Sequence, residues 1–270
     1  MKPAAFDYVC AEHLDEALDV LDREGSDARI LAGGQSLVAM LNMRLARPKT
    51  LIDIMRLPEL ARIESRREAI TVGAGVRQAE LLAWPELARR LPLVALALPW
   101  TGHAQTRSRG TICGSIAHAD PSAELPLVLQ ALGGEVHLRS AARRRQLTAN
   151  AFFAGMMATA RADQELIEAV SFPIRQQRCA FREVARRHGD FAIVACAAIE
   201  TAKGFRLAIG GVADTPVARD FPRLDGSALD DALNGFAWDL DARDDIHATA
   251  RYRRDLVRMI GRDLVREVLP

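Results

Sequence analysis

The pattern of apolar and polar positions divides the first two-thirds of the chain into short strands and helices. Residues 6–11 read as a strand. Residues 13–24 read as a helix, because Leu14, Ala17, Leu18 and Leu21 recur at the spacing of one helical face and Gly25 ends it. A short buried strand at 28–31, a helix through 40–43 closed by Pro48, and a strand at 50–54 complete a small α/β unit. Residues 61–64 and 69–72 pair around a charged turn, and 78–83 and 87–98 read as helical. Residues 101–126 are polar enough to predict a long loop. A buried helix at 125–132 then ends at Gly133 and Gly134. Residues 135–139 alternate as a strand, Phe152 and Phe153 sit in a short helix, and 168–172 form a closing strand before Pro173.

From Arg175 the pattern changes. Residues 180–185, 192–201 and 205–212 are long strand-like runs joined by short turns, which predicts an antiparallel meander. A last helix covers 248–268, with Val257, Ile260, Leu264 and Val268 as its apolar stripe and its arginines facing out. The change places a domain boundary near residue 174. There are no internal repeats.

Composition narrows the class. A chain of 270 residues can hold two domains. Its net charge of +1 gives no general case for nucleic acid. Basic runs at 139–145 and 175–188 and an acidic run at 225–245 read mainly as solvated faces, with the second basic run also a candidate docking surface. No apolar run reaches membrane-spanning length, and the N-terminus lacks a signal-peptide core, so a cytoplasmic location is expected. The four cysteines form no CxxC pair, which argues against a zinc ribbon, a redox dithiol or an iron–sulfur cluster within this chain.

Two segments carry candidate chemistry. The first is Ala32, Gly33, Gly34, Gln35 and Ser36, between a strand and a helix beginning at Leu37. That is the order in which backbone amides receive phosphate. The second is the 101–126 stretch, rich in Gly, Ser, Thr, Asp and His. Thr111 and Ser115 supply neutral donors, and a carboxylate at Glu124 can accept both hydroxyls of a ribose. Two such segments suggest a ligand with a diphosphate, held from both sides. Each residue alone reads better as a turn or cap; the set does not. The Gly73-Ala74-Gly75 turn is no Rossmann fingerprint, since Gln78 stands where the third glycine is required. His118 and Asp120, with Glu124 and His103, make only a weak metal pattern, and no GxSxG elbow is present.

AGGQSL at 32–37, TxxGSIAHADPxAELP at 111–126 and RRHGDFAIV at 186–194, in this order, resemble one family. It is the FAD-binding medium subunit of molybdenum hydroxylases, the carbon monoxide dehydrogenase and xanthine dehydrogenase flavoprotein group. The resemblance covers nearly the whole chain. It implies an α+β protein: a two-lobed FAD-binding domain of the PCMH type at 1–174, with lobes of about 1–56 and 57–174, and a C-terminal domain at 175–270 with an antiparallel sheet and helices. It implies non-covalent FAD between the lobes. Ala32, Gly33, Gly34, Gln35, Ser36 and Leu37 would hold the diphosphate with Thr111, Gly114 and Ser115. His118 and Asp120 would lie alongside, Glu124 would hold the ribose, and Leu166 and Ile167 would back the adenine. Arg182, His188, Asp190 and Phe191 would lie by the isoalloxazine ring. The family commonly has two glycines where this chain has Cys113-Gly114; the side chain at 113 bears on how closely the backbone approaches the diphosphate, and Gly114 keeps the reading. The implied role is electron transfer. An iron–sulfur small subunit with 2Fe-2S clusters passes electrons from a large subunit carrying the molybdenum cofactor, in a dimer of heterotrimers. FAD here hands them to an external acceptor. A stand-alone FAD oxidoreductase and a degenerate regulatory subunit of the same fold are the alternatives.

Overall fold

The computed structural model describes residues 2–269. The first lobe consists of β1 (Asp7–Cys10), α1 (Leu14–Glu24), β2 (Ala28–Leu31), α2 (Leu37–Asn42) and β3 (Thr50–Asp53). β3 lies between β1 and β2 and runs parallel to both. Parallel neighbours need crossover connections, and α1 and α2 supply the helices for them. α1 buries the predicted stripe of Leu14, Ala17, Leu18 and Leu21. Asp15 and Glu16 in its first turn and Arg23 in its last complement the helix dipole.

The second lobe begins with β4 (Ile63–Ser65), β5 (Ala69–Gly73), α3 (Gln78–Leu82), α4 (Leu87–Arg90) and α5 (Pro92–Ala97). It continues through α6 (Ala104–Arg109), α7 (Ile112–His118), α8 (Glu124–Leu132), β6 (Glu135–Arg139), β7 (Arg144–Thr148) and α9 (Ala149–Phe152). A small hairpin of β8 (Phe153–Gly155) and β9 (Ala158–Thr159) leads to β10 (Leu166–Pro173). The sheet order is β4-β5-β10-β6-β7. β7 has no apolar alternation to announce it. It is an edge strand pairing with β6, and its arginines suit an edge that meets water.

The polar stretch at 101–126 is not a loop. It folds into α6, α7 and the start of α8. Thr111 caps α7, its Oγ1 accepting from the Gly114 amide at 3.0 Å. Ala119 ends α7 in the left-handed region at φ 51°. The polar residues therefore lie on caps and short helical turns that a composition argument reads as loop.

The C-terminal unit is the predicted meander of β11 (Cys179–Val184), β12 (Val194–Thr201) and β13 (Gly204–Gly210), extended by a fourth strand, β14 (Val217–Pro222), in sequential antiparallel order. α10 (Gly226–Asp239) and α11 (Ala250–Val268) cover one face. The other face packs on α5 and α8 of the second lobe, so Ala195, Ala197 and Ala208 belong to that lobe's core. Small side chains there let the sheet and helices approach closely. α10 is hidden in the sequence by the acidic run, although Leu229, Leu233, Phe236 and Ala237 form its buried side. The outward placement of the α11 arginines needs one correction. Arg253 points inward and is buried, donating to Ile193 O and Gly211 O at 2.6 Å each and pairing with Asp245. The carbonyls around the start of β12 and the end of β13 draw it in.

Candidate functional site

The two small-residue segments meet. A Cβ added to Gly33 would fall 2.2 Å from Arg109 O and 2.7 Å from Gly110 Cα. The first glycine turn is therefore pressed directly against the residues leading into α7, an approach only glycine permits. Gly34 takes φ 73°, which turns the chain from β2 towards α2. At Gly114 an added Cβ would stand 2.7 Å from Thr111 Oγ1, displacing the cap of α7.

Between the lobes these segments line a cleft of about 550 Å³. Its walls include Ala32, Gly33, Gly34, Gln35, Ser36 and Leu37 from the first lobe. Thr111, Gly114, Ser115, His118, Asp120, Glu124, Leu166 and Ile167 come from the second. Gly189, Asp190 and Phe191 come from the turn between β11 and β12, and Phe191 is exposed. Gly189, at φ 85°, packs that turn against His103, and His188 stacks on Trp100 with ring centroids 5.0 Å apart. The 188–191 turn is thus seated on the 100–103 segment at the cleft.

Local bonds set the polar groups. Gln35 Nε2 donates to Gly33 O at 3.3 Å. Asp120 Oδ1 accepts from the Ser122 amide at 2.8 Å, fixing the turn before α8. Glu124, the first residue of α8, is 4% exposed, and burial raises its carboxyl above the ordinary range. Arg107 Nη1 donates to the carbonyls of Pro99, Thr101 and Gly102, which holds the facing segment.

Two sequence expectations fail on the geometry. Arg182 is not at the cleft. It alternates onto the other face of β11, where Asp263 at 3.3 Å and Glu267 at 3.6 Å on α11 take its guanidinium. His188 is turned onto Trp100 and does not line the cleft, although its neighbours Asp190 and Phe191 do. Cys113, the departure from the family's two glycines, lies in the same cleft wall. Its Sγ faces Val72 O at 3.6 Å, the residue is 3% exposed, and burial pushes its thiol up. Cys113 lines the cleft beside Thr111 and Gly114, with its thiol turned towards the core. The basic run at 175–187 is partly committed internally, with Arg175 bonded to Leu132 O and Arg182 to α11.

Sequence reasoning missed Gln78, Thr101, Arg29, Met157 and Arg161, all of which line the cleft. Gln78 was visible only as an obstacle to a Rossmann motif; Arg29 and Arg161 carry no motif signal at all. Gln78 Oε1 is buried with no hydrogen-bond partner among the described residues. An orphaned acceptor beside a glycine cradle, neutral donors on both lobes and an apolar wall at Leu166 and Ile167 fit a dinucleotide with polar hydroxyls and a diphosphate. Among the described residues no cluster of His, Cys, Asp or Glu is arranged to hold a metal ion.

A two-lobed cleft of this construction, backed by a four-stranded meander, defines a flavoprotein class. Residues 4–175 match the FAD binding domain in molybdopterin dehydrogenase, and 179–268 match the CO dehydrogenase flavoprotein C-terminal domain. The chain belongs to the family of FAD-carrying medium subunits of molybdenum hydroxylases, which work in complexes with an iron–sulfur chain and a molybdenum chain. It is 36% identical to the 6-hydroxypseudooxynicotine dehydrogenase complex subunit alpha of Paenarthrobacter nicotinovorans, over 98% of this chain and 95% of that protein. Its fold is similar to a chain of quinoline 2-oxidoreductase from Pseudomonas putida 86, with TM-score 0.93, 33% identity and coverage of 99% and 98%. It is equally similar to a chain of carbon monoxide dehydrogenase from Hydrogenophaga pseudoflava, with TM-score 0.93, 29% identity and coverage of 100% and 99%.

Proposed function

We propose that this chain holds one FAD non-covalently in the inter-lobe cleft and relays electrons from an iron–sulfur partner to an external acceptor. The observation that supports the reading is the direct contact of the two glycine segments at Gly33 and Gly110, which brings both small-residue backbones to one cleft. Gly33, Gly34, Gln35, Ser36, Thr111, Gly114 and Ser115 are assigned to the diphosphate. Glu124 is assigned to the ribose hydroxyls, and Leu166 and Ile167 to the adenine. Asp190 and Phe191, on a turn braced by the His188–Trp100 stack, are assigned to the flavin ring. FAD accepts electrons singly and can release them as a pair, which suits a link between one-electron clusters and a two-electron acceptor. The chain's own contribution is binding and orientation: the backbone amides fix the diphosphate, Glu124 fixes the sugar, and the 188–191 turn limits access of water to the ring. Substrate choice then belongs to the molybdenum chain. The unit boundary near residue 174, the dimer of heterotrimers and a cytoplasmic location complete the proposal. No described helix is long and apolar enough to cross a membrane.

The test is reconstitution. The purified chain should bind about one FAD, released on denaturation. Loaded with FAD and offered aldehydes, N-heteroaromatics or carbon monoxide, it should turn over none of them. Activity should appear when the iron–sulfur and molybdenum chains are added. Robust turnover by the chain alone would overturn the relay.

A further inference from the structure

A second cavity lies away from the inter-lobe cleft and shares no residue with it. Its volume is about 570 Å³. It sits at the seam between the second lobe and the meander, where α8 ends, the chain crosses from β10 to β11 and the β12–β13 hairpin turns. Glu124 starts α8 at the cleft, so the cavity is at the other end of that helix. The cavity has an apolar side. Ala131 and Ile199 are buried there, and Phe221 stacks on Phe205 with ring centroids 5.0 Å apart. Five charged side chains complete the lining: Arg175, Lys203 and Arg206 against Glu200 and Asp220, an excess of one positive charge. Arg206 faces Asp220 across β13 and β14 and forks onto both of its oxygens at 2.7 Å. Arg175 Nε and Nη2 donate to Leu132 O at 3.3 and 3.2 Å, which offsets the negative end of α8. The two guanidiniums converge, since an added Cβ on Gly133 would stand 3.6 Å from Arg206 Nη1 and 3.9 Å from Arg175 Nη2. Nη1 of each arginine and Lys203 Nζ have no hydrogen-bond partner among the described residues.

We propose that this cavity binds a small aromatic monoacid, its carboxylate held by Arg175, Arg206 and Lys203 and its ring laid on Ala131, Ile199 and Phe221. Guanidinium donors match carboxylate oxygens, and the spare donors here come from three separate elements: the β10–β11 link, the hairpin turn and β13. The charge balance selects the ligand's charge. One excess positive charge suits one negative charge, whereas a doubly charged phosphate would also meet Glu200, Asp220 and the carbonyl end of α8. The size and the apolar side select its body. A cavity of this volume is in the range that holds organic ligands, and a bare inorganic anion would leave the apolar side uncovered. The site stands apart from the flavin and does not depend on it.

The test uses the full chain, with and without added FAD, titrated by calorimetry with benzoate, benzyl alcohol, acetate and phenyl phosphate. At about pH 8 phenyl phosphate carries close to two charges. Benzoate should bind once per chain, equally in both FAD states, and at least about fivefold tighter than each of the other three. Arg175→Gln should weaken benzoate at least about tenfold, the worth of a hydrogen bond to a charged group. Lys203→Gln, in an exposed turn, should weaken it about 3- to 10-fold with a parental melting temperature, and it decides the matter should Arg175→Gln fold poorly. No benzoate binding overturns the site, and so does binding that both variants leave unchanged. Binding that disappears when FAD is added places benzoate in the cleft and overturns it too. Benzyl alcohol or phenyl phosphate bound as tightly as benzoate overturns the monoacid assignment.

Discussion

Gly33→Ala tests the contact on which the whole cleft depends. The added Cβ would lie 2.2 Å from Arg109 O, with Gly110 Cα at 2.7 Å and Arg109 C at 2.8 Å. Ordinary contact begins near 3.4 Å, so the two backbones must part by about 1.2 Å. Neither partner is a flexible side-chain end. The shift must be absorbed by the turn after β2 or by the residues between α6 and α7, and both are assigned to the diphosphate. Overpacking of this kind costs about 1–3 kcal/mol. If the strain falls on the bound geometry, FAD affinity drops by about 5- to 150-fold. Quenching of flavin fluorescence on titration reads the affinity, and thermal melting of the apo protein reads the fold. Gly235→Ala is the control: nothing lies within 4 Å of an added Cβ there, and the position is inside α10. It should gain up to about 1 kcal/mol of stability without touching FAD. A Gly33→Ala protein with parental FAD affinity and parental melting temperature would refute the abutting-loop argument.

Three further outcomes follow from the same geometry. Glu124→Ala should weaken FAD by about 10- to 150-fold, since a hydrogen bond to a charged group is worth about 1.5–3 kcal/mol; unchanged calorimetric affinity would sink the ribose assignment. Cys113→Gly should leave FAD affinity unchanged and lower stability by about 1–3 kcal/mol, because the side chain fills the core; a large gain in affinity on titration would show that position 113 does face the ligand. Glu183 is 6% exposed with neither carboxyl oxygen hydrogen-bonded among the described residues, and burial, then Glu124, pushes it up to about 8. The folded chain therefore keeps a proton that the unfolded chain has lost, so stability falls as pH rises from about 4.5 towards 8; Glu183→Gln should flatten that slope by about 1.4 kcal/mol per pH unit, and parallel denaturation curves would refute it.

Much of the frame was legible because local signals agreed with it. The α1 stripe, the β2 strand before Gly33 and the meander from β11 to β13 each carried a clear period and a clear stop. The failures share a physical cause. α6 and α7 are short and polar, held by a threonine cap and by contacts with other elements, so no apolar period marks them. β7 is an arginine-bearing edge, and α10 wears an acidic face. More of the cleft lining than of its surroundings was legible, since backbones that approach closely demand small residues that show in the sequence. Arg182 shows the limit. The sequence places it beside the 188–191 turn, but strand alternation sends its side chain to the other face, and only the position of α11 reveals the carboxylates waiting there.

The C-terminal unit is part of the site and not an appendage to it. Its sheet gives Ala195, Ala197 and Ala208 to the core that supports α5 and α8, and α8 begins with Glu124. The Gly211 amide donates to Pro121 O at 2.7 Å, tying the end of β13 to the turn that precedes α8. Arg253 then binds Ile193 O and Gly211 O together. One buried guanidinium on α11 thus joins Ile193, two residues past the 188–191 turn, to the anchor of the cleft wall. Carbonyls just outside the ends of β12 and β13 accept from a side chain of the last helix, so the register of α11 is set by the same residues that shape the cleft. This explains why an arginine interrupts the buried face of an otherwise ordinary amphipathic helix. It also follows that the last helix cannot be removed without loosening both walls against which the cofactor is proposed to rest.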